Sequence, residues 1–160
     1  VIYDTMVEKF DLEKKRVLVG DQWLEGDIII SSASIDSLFD YRYGKLKYIG
    51  RDFMKVILPV EQVTPDPYYF IHYAGDEPYT RIIEYKLLTG YKAPDTLIIM
   101  EFPSFNNRLY PYPFKSEIMK AQKYLDDLPQ DVYSIGRMGK YQYDNMDVIV
   151  KDCMQLMKRI

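Results

Sequence analysis

Ser134-Ile135-Gly136-Arg137-Met138-Gly139-Lys140-Tyr141-Gln142-Tyr143-Asp144-Asn145-Met146-Asp147 reads as a strand, a glycine turn, a basic side chain and the entry to a helix. That order suits anion binding. Gly136 and Gly139 let the backbone come close to a ligand, Arg137 offers a planar bidentate fork, and a helix after Asn145 presents unpaired N–H groups. A ligand carrying phosphate fits this set. Glycine-arginine turns also cap ordinary helices, so the run taken alone leaves both readings open.

Upstream, residues 79–86 alternate as a sheet strand does, with Tyr79, Arg81, Ile83 and Tyr85 on one face and Thr80, Ile82, Glu84 and Lys86 on the other. Arg81 either spreads its stem over aromatic rings on a solvated face or binds a diphosphate with phenol groups beside it. Residues 47–58, 68–73 and 96–102 also alternate or run apolar, with prolines at or between their ends, which predicts an antiparallel sheet. Toward the N-terminus, residues 2–10, 16–19, 23–24 and 27–31 read as a β-meander. The run Ile28-Ile29-Ile30 has the pattern of a strand buried on both faces. Ser34 is placed to cap a short helix through Phe39.

The loop 106–113 leads to a helix over about 116–128, a strand over 132–135 and a final helix. In that helix Met146, Ile149, Val150, Cys153, Leu156, Met157 and Ile160 recur at helical spacing, which assigns Cys153 to the core. His72 has no serine, cysteine or carboxylate at a spacing that builds a triad or a metal site. The fold class is α+β: an antiparallel sheet with a β-meander and two main helices.

With 160 residues the chain can bury a sizeable core, and its net charge of −3, without a basic block, argues against nucleic acid as a partner. The single cysteine excludes an internal disulfide and suits a reducing, cytoplasmic setting. No segment approaches the ~18 continuous apolar residues of a membrane helix, and no membrane association is expected. Sixteen tyrosines, each a large apolar ring with a polar tip, are a conspicuous number and suit sheet faces.

Four ordered blocks carry a resemblance: residues 79–86, Glu101-Phe102-Pro103, Tyr110-Pro111, and residues 136–147. Together they closely resemble the C-terminal half of the UDP-galactopyranose mutase family, and residues 35–44 look like its exit from the flavin domain. The resemblance runs from about Asp27 to the end. It implies residues 1–40 as meander and strand of an FAD-binding domain, 41–115 as the substrate-side sheet, and 116–160 as a return to the FAD-binding domain.

That family interconverts UDP-galactopyranose and UDP-galactofuranose for cell-surface polysaccharide, with reduced FAD as nucleophile and no net redox change. The resemblance makes Arg81, Tyr110 and Tyr143 catalytic and diphosphate-binding, with Glu101 a carboxylate near the substrate or a structural ion-pair partner. It makes Gly136, Arg137, Tyr143, Asn145 and Met146 the cofactor-binding residues. Asp144 stands where the family often has a second aromatic, and Val148 where a polar residue is common.

No G-x-G-x-x-G turn for the FAD pyrophosphate occurs here. The expectation is therefore a C-terminal part of a longer enzyme, inactive and without FAD when isolated, and self-associating through apolar faces left uncovered. The alternative is a non-catalytic module that binds nucleotide sugar and depends on the missing half.

Overall fold

The computed structural model describes residues 1–160. In chain order the elements are β1 (Lys9–Asp11), β2 (Arg16–Val19), β3 (Gln22–Glu25), β4 (Ile29–Ser31), α1 (Ile35–Leu38), β5 (Tyr48–Leu58), β6 (Phe70–His72) and β7 (Arg81–Glu84). There follow α2 (Tyr85–Thr89), β8 (Thr96–Ser104), β9 (Tyr110–Pro111), α3 (Lys115–Asp126), β10 (Val132–Ser134), α4 (Gly136–Lys140) and α5 (Met146–Leu156). The chain divides into two compact units, residues 1–48 with 110–160, and residues 49–109.

In the first unit, β1, β2 and β3 form the expected antiparallel meander, with Phe10 opposite Val17 and Leu18 opposite Trp23. The N-terminal strand is shorter than the alternation suggested: Glu8 N–H donates to Leu18 O at 2.8 Å, and the ladder with β2 runs only from Lys9 to Asp11. β4 does not continue the meander as the sequence suggested: it finds its partner far along the chain and pairs in parallel with β10, Ile30 opposite Tyr133. Ile28 and Ile30 are 41% and 44% exposed, which corrects the reading of this run as buried on both faces.

The core of this unit gathers Ile35, Leu38, Leu46, Tyr48, Ala121, Tyr124, Val132 and Tyr141. Fully buried Tyr124 must satisfy its hydroxyl, and does so by donating to Gly44 O at 3.0 Å and accepting from Tyr43 N–H at 2.8 Å. Asp36, also fully buried, accepts from Leu46 N–H at 2.9 Å and from the Ser34 hydroxyl. Ser34 thus occupies the N-cap position of α1, but its hydroxyl serves Asp36 and Tyr48 and not the helix N–H groups.

In the second unit the antiparallel strands lie in the order β6-β7-β8-β5. Arg81 stands opposite Glu101 and Ile83 opposite Ile99. The strand expected over 79–86 is β7 alone, because the chain turns into α2 at Tyr85 and ends that helix at Gly90 in the left-handed region, φ +72°. Glu84 is fully buried and accepts from Thr64 N–H at 2.7 Å, Val63 N–H at 3.2 Å and the Thr96 hydroxyl at 2.6 Å. It pins the 61–66 loop to the sheet. His72 is exposed on β6, edge-on to Phe70.

The architecture is α+β, with five helices, of which α3 and α5 are the long ones. No residue of α5 is fully buried and Cys153 is half-buried, so the final helix does not place Cys153 in the core. No helix is long and apolar enough to cross a membrane.

Candidate functional site

In the first unit, Gly136 at φ +73° turns the chain from β10 into α4. A Cβ on Gly139 would lie 2.6 Å from Ser134 Oγ and 3.3 Å from Ser31 O, so this glycine lets α4 rest on β10 and β4. The close approach anticipated for Gly139 is therefore made by the chain's own backbone. Tyr141, at φ 52°, ends α4 in the left-handed region with its ring buried edge-on against Tyr48. Its hydroxyl donates to Lys47 O at 2.5 Å and accepts from Tyr112 N–H at 3.0 Å.

That anchor ties the segment after β9 to the segment after α4, and so brings Tyr110 beside Tyr143. Their rings stack with centroids 5.4 Å apart and planes 27° from parallel. The Arg137 guanidinium lies 4.9 Å from the Tyr110 ring centre and 4.8 Å from that of Tyr143, while its Nη2 donates to Asp144 O at 3.2 Å. Tyr143 is 68% exposed and Met146, the first residue of α5, 84%. Asn145 stands at the N-cap of α5, where no side chain caps the first N–H groups.

The other named residues lie in the second unit. Arg81 Nη2 donates to both carboxylate oxygens of Glu101 at 2.7 Å, and Glu101 is 3% exposed. A residue passed over in the sequence completes the group. Arg51 Nε lies 3.5 Å from Glu101 Oε2, and Arg51 Nη1 donates to Thr80 Oγ1 at 2.9 Å. The register of β5 on β8, which sets Arg51 opposite Pro103, is non-local, so no spacing in the sequence announced this contact. Tyr79, on the run that seemed to surround Arg81, packs its ring on Tyr73 and Phe102. Elsewhere, a cleft of about 440 Å³ in the first unit is lined by Phe10, Leu12, Leu38, Phe39, Arg42 and Asp127 among others.

The family model described as UDP-galactopyranose mutase matches residues 4–143, and this chain belongs to that family. Among curated relatives, a probable UDP-galactopyranose mutase of Klebsiella pneumoniae is 25% identical over 156 residues, covering 92% of this chain and 40% of the relative. A dTDP-fucopyranose mutase of Escherichia coli is 26% identical over 162 residues, covering 92% and 42%. A crystal structure of reduced UDP-galactopyranose mutase superimposes with a TM-score of 0.66 at 16% identity, over 86% of this chain and 41% of that one, a likeness of fold. The chain thus spans about two-fifths of the length of the relatives it matches. The family match begins well before Asp27, and it stops short of Asn145, Met146 and α5.

Proposed function

We propose that these 160 residues form the substrate-side part, with a portion of the cofactor side, of a flavin-dependent isomerase that interconverts UDP-galactopyranose and UDP-galactofuranose. The observation that carries this reading is the Arg137 guanidinium held over the stacked rings of Tyr110 and Tyr143, at positions that match the family motif. A leaving UDP that must stay bound needs cationic and phenolic donors on its diphosphate. Arg81, Tyr110 and Tyr143 are assigned that role.

The residues present fit FAD. At Gly136 no atom lies within 4 Å of where a Cβ would stand, and α5 opens without a side-chain cap beside an exposed Met146. Gly136, Arg137, Tyr143, Asn145 and Met146 would hold the cofactor, Arg137 favouring an anionic ring by its fixed charge. The chemistry supplied by reduced FAD when bound is nucleophilic displacement of UDP at the anomeric carbon, with no net redox change. Residues 1–40 and 116–160 are assigned to the FAD-binding domain and 41–115 to the substrate side. The exposed Ile30 on the short parallel pair, and the exposed Ile28 just before it, support that assignment, because parallel strands are ordinarily covered on both faces. A cytoplasmic location accords with the single cysteine.

The reading is tested by complementation. The chain, mixed under dithionite with FAD and the nucleotide-binding part of the Klebsiella relative, is expected to convert UDP-galactofuranose, and to do nothing alone. No turnover in the mixture, or turnover of dTDP-fucose substrates only, would overturn the assignment to UDP-galactose.

A further inference from the structure

At the end of β7 away from Arg81, a cleft of about 310 Å³ opens in the second unit between residues 61–68 and residues 86–93. Each side carries a tyrosine left in water, Tyr68 at 61% exposed and Tyr91 at 68%. Tyr69, next in the chain, packs its ring edge-on against Phe70 instead. Two large apolar ring faces thus stand open at one cleft.

Both sides are held before any ligand arrives. Buried Glu84 takes the N–H groups of Val63 and Thr64, Gln62 Nε2 donates to Thr64 O at 2.6 Å and to Asp66 Oδ1 at 2.9 Å, and Tyr68 N–H donates to Pro65 O at 3.0 Å. Opposite, Lys86 Nζ donates to Ala93 O and Asp95 O, both at 2.9 Å, which ties α2 to the chain after Gly90. A cleft with fixed sides loses little freedom on binding.

The charged groups lining it balance, Glu61 and Asp66 against Lys86 and Lys92. Lys86 is already engaged by two carbonyls, and Glu84 behind the 61–66 loop adds a buried negative charge, so the set gives no net attraction to a phosphate or a polynucleotide. It offers carboxylate and amide oxygens as acceptors for hydroxyl groups, beside aromatic faces that suit the C–H face of a saturated ring. A neutral sugar presents both. The volume stands at the small end of ligand sites, which run from about 300 to 1,000 Å³, and suits about one or two sugar rings.

We propose that this cleft binds a neutral oligosaccharide, with Tyr68 and Tyr91 as stacking platforms and Gln62 and Asp66 as acceptors for its hydroxyl groups. The site is separate from Arg81 and does not depend on the reading of the chain as a mutase.

The test is amide NMR titration of the full chain with neutral galactan, glucan and mannan trisaccharides. At least one is expected to give saturable shifts at residues 61–68 and 86–93. Tyr68→Ala and Tyr91→Ala, each altering an exposed side chain, are expected to bind it at least about tenfold more weakly while the rest of the spectrum is unchanged. If one of them does not fold, the other, on the opposite side, decides. Unchanged affinity in the variants, shifts confined to the surroundings of Arg81, or no shift with any of the sugars would overturn the proposal. Shifts at the cleft from UDP and not from the sugars would overturn it as well. Electrophoresis through a gel holding the matching polymer separates the sources: retardation assigns units within a polysaccharide, unhindered migration a free oligosaccharide, and either upholds the cleft.

Discussion

Tyr110 and Tyr143 stack with ring centroids 5.4 Å apart, although one lies on β9 and the other follows α4. Arg137 lies over both, and the pair is fixed from behind by the Tyr141 hydroxyl. Replacing Arg137 by Met removes two cation–π contacts, each about 0.5–1 kcal/mol at exposed sites. The variant is expected to lose about 1 kcal/mol of stability by urea unfolding; an unchanged midpoint would show that the stack does not depend on the cation.

Glu84 makes stability depend on acid. Burial pushes its carboxyl up, but the hydroxyl of Thr96 and the donors of Thr64 and Val63 together outweigh burial and hold it below its ordinary value. A folded pKa below the unfolded one means that the stabilisation is present above the ordinary glutamate range and is lost as pH falls through the folded value. Glu117 adds to the same limb: burial raises it, and Lys47 N–H and Lys120 bring it net down. Urea midpoints should therefore fall on acidification below the glutamate range. Glu84→Gln should flatten that fall while costing about 1–3 kcal/mol at neutral pH, because an amide cannot accept all three donors. An acid limb of undiminished slope in the variant would contradict the role given to Glu84.

Gly139 is expected to resist substitution. Alanine gains about 1 kcal/mol of helix propensity but forces Ser134 Oγ and the Ser31 carbonyl away from a Cβ at 2.6 and 3.3 Å. Overpacking costs about 1–3 kcal/mol, so Gly139→Ala should come out about 1 kcal/mol less stable in thermal or urea unfolding. A variant as stable as the parent would mean that α4 shifts freely on β10.

The outer stripe of α5 is apolar and uncovered, with Met146, Val150, Met154 and Met157 exposed at 84%, 57%, 61% and 64%. Self-association of the isolated chain through this stripe is expected, since its inner face already packs through Ile149, Cys153 and Leu156. Val150→Glu with Met154→Lys should lower the mass seen by light scattering at high concentration; a monomer for both chains would remove the stripe as the cause.

How much was legible follows from how local each signal is. The strands of the second unit were readable because alternation bounded by proline is written in consecutive residues. Where β7 gives way to α2 it was not: the alternation continues through Tyr85 and Lys86, and a five-residue helix is too short to display its own period. The stripe of α5 was visible, but which side would be covered depends on neighbours, and Cys153 accordingly came out half-buried. Arg81, Tyr110, Tyr143 and Arg137 stood out through the family motif. Arg51 and Tyr141 did not, because their contacts depend on strand register and on a hydroxyl reaching Lys47.

The most direct test of the account is titration of the chain and of Arg81→Ala with UDP-galactose, followed by calorimetry. One charge-assisted contact is worth about 1.5–3 kcal/mol, so saturable binding weakened about ten- to hundredfold in the variant is the predicted result. Equal affinity of the two proteins for UDP-galactose would contradict the assignment of Arg81 to the diphosphate, and with it the substrate-side reading of this chain.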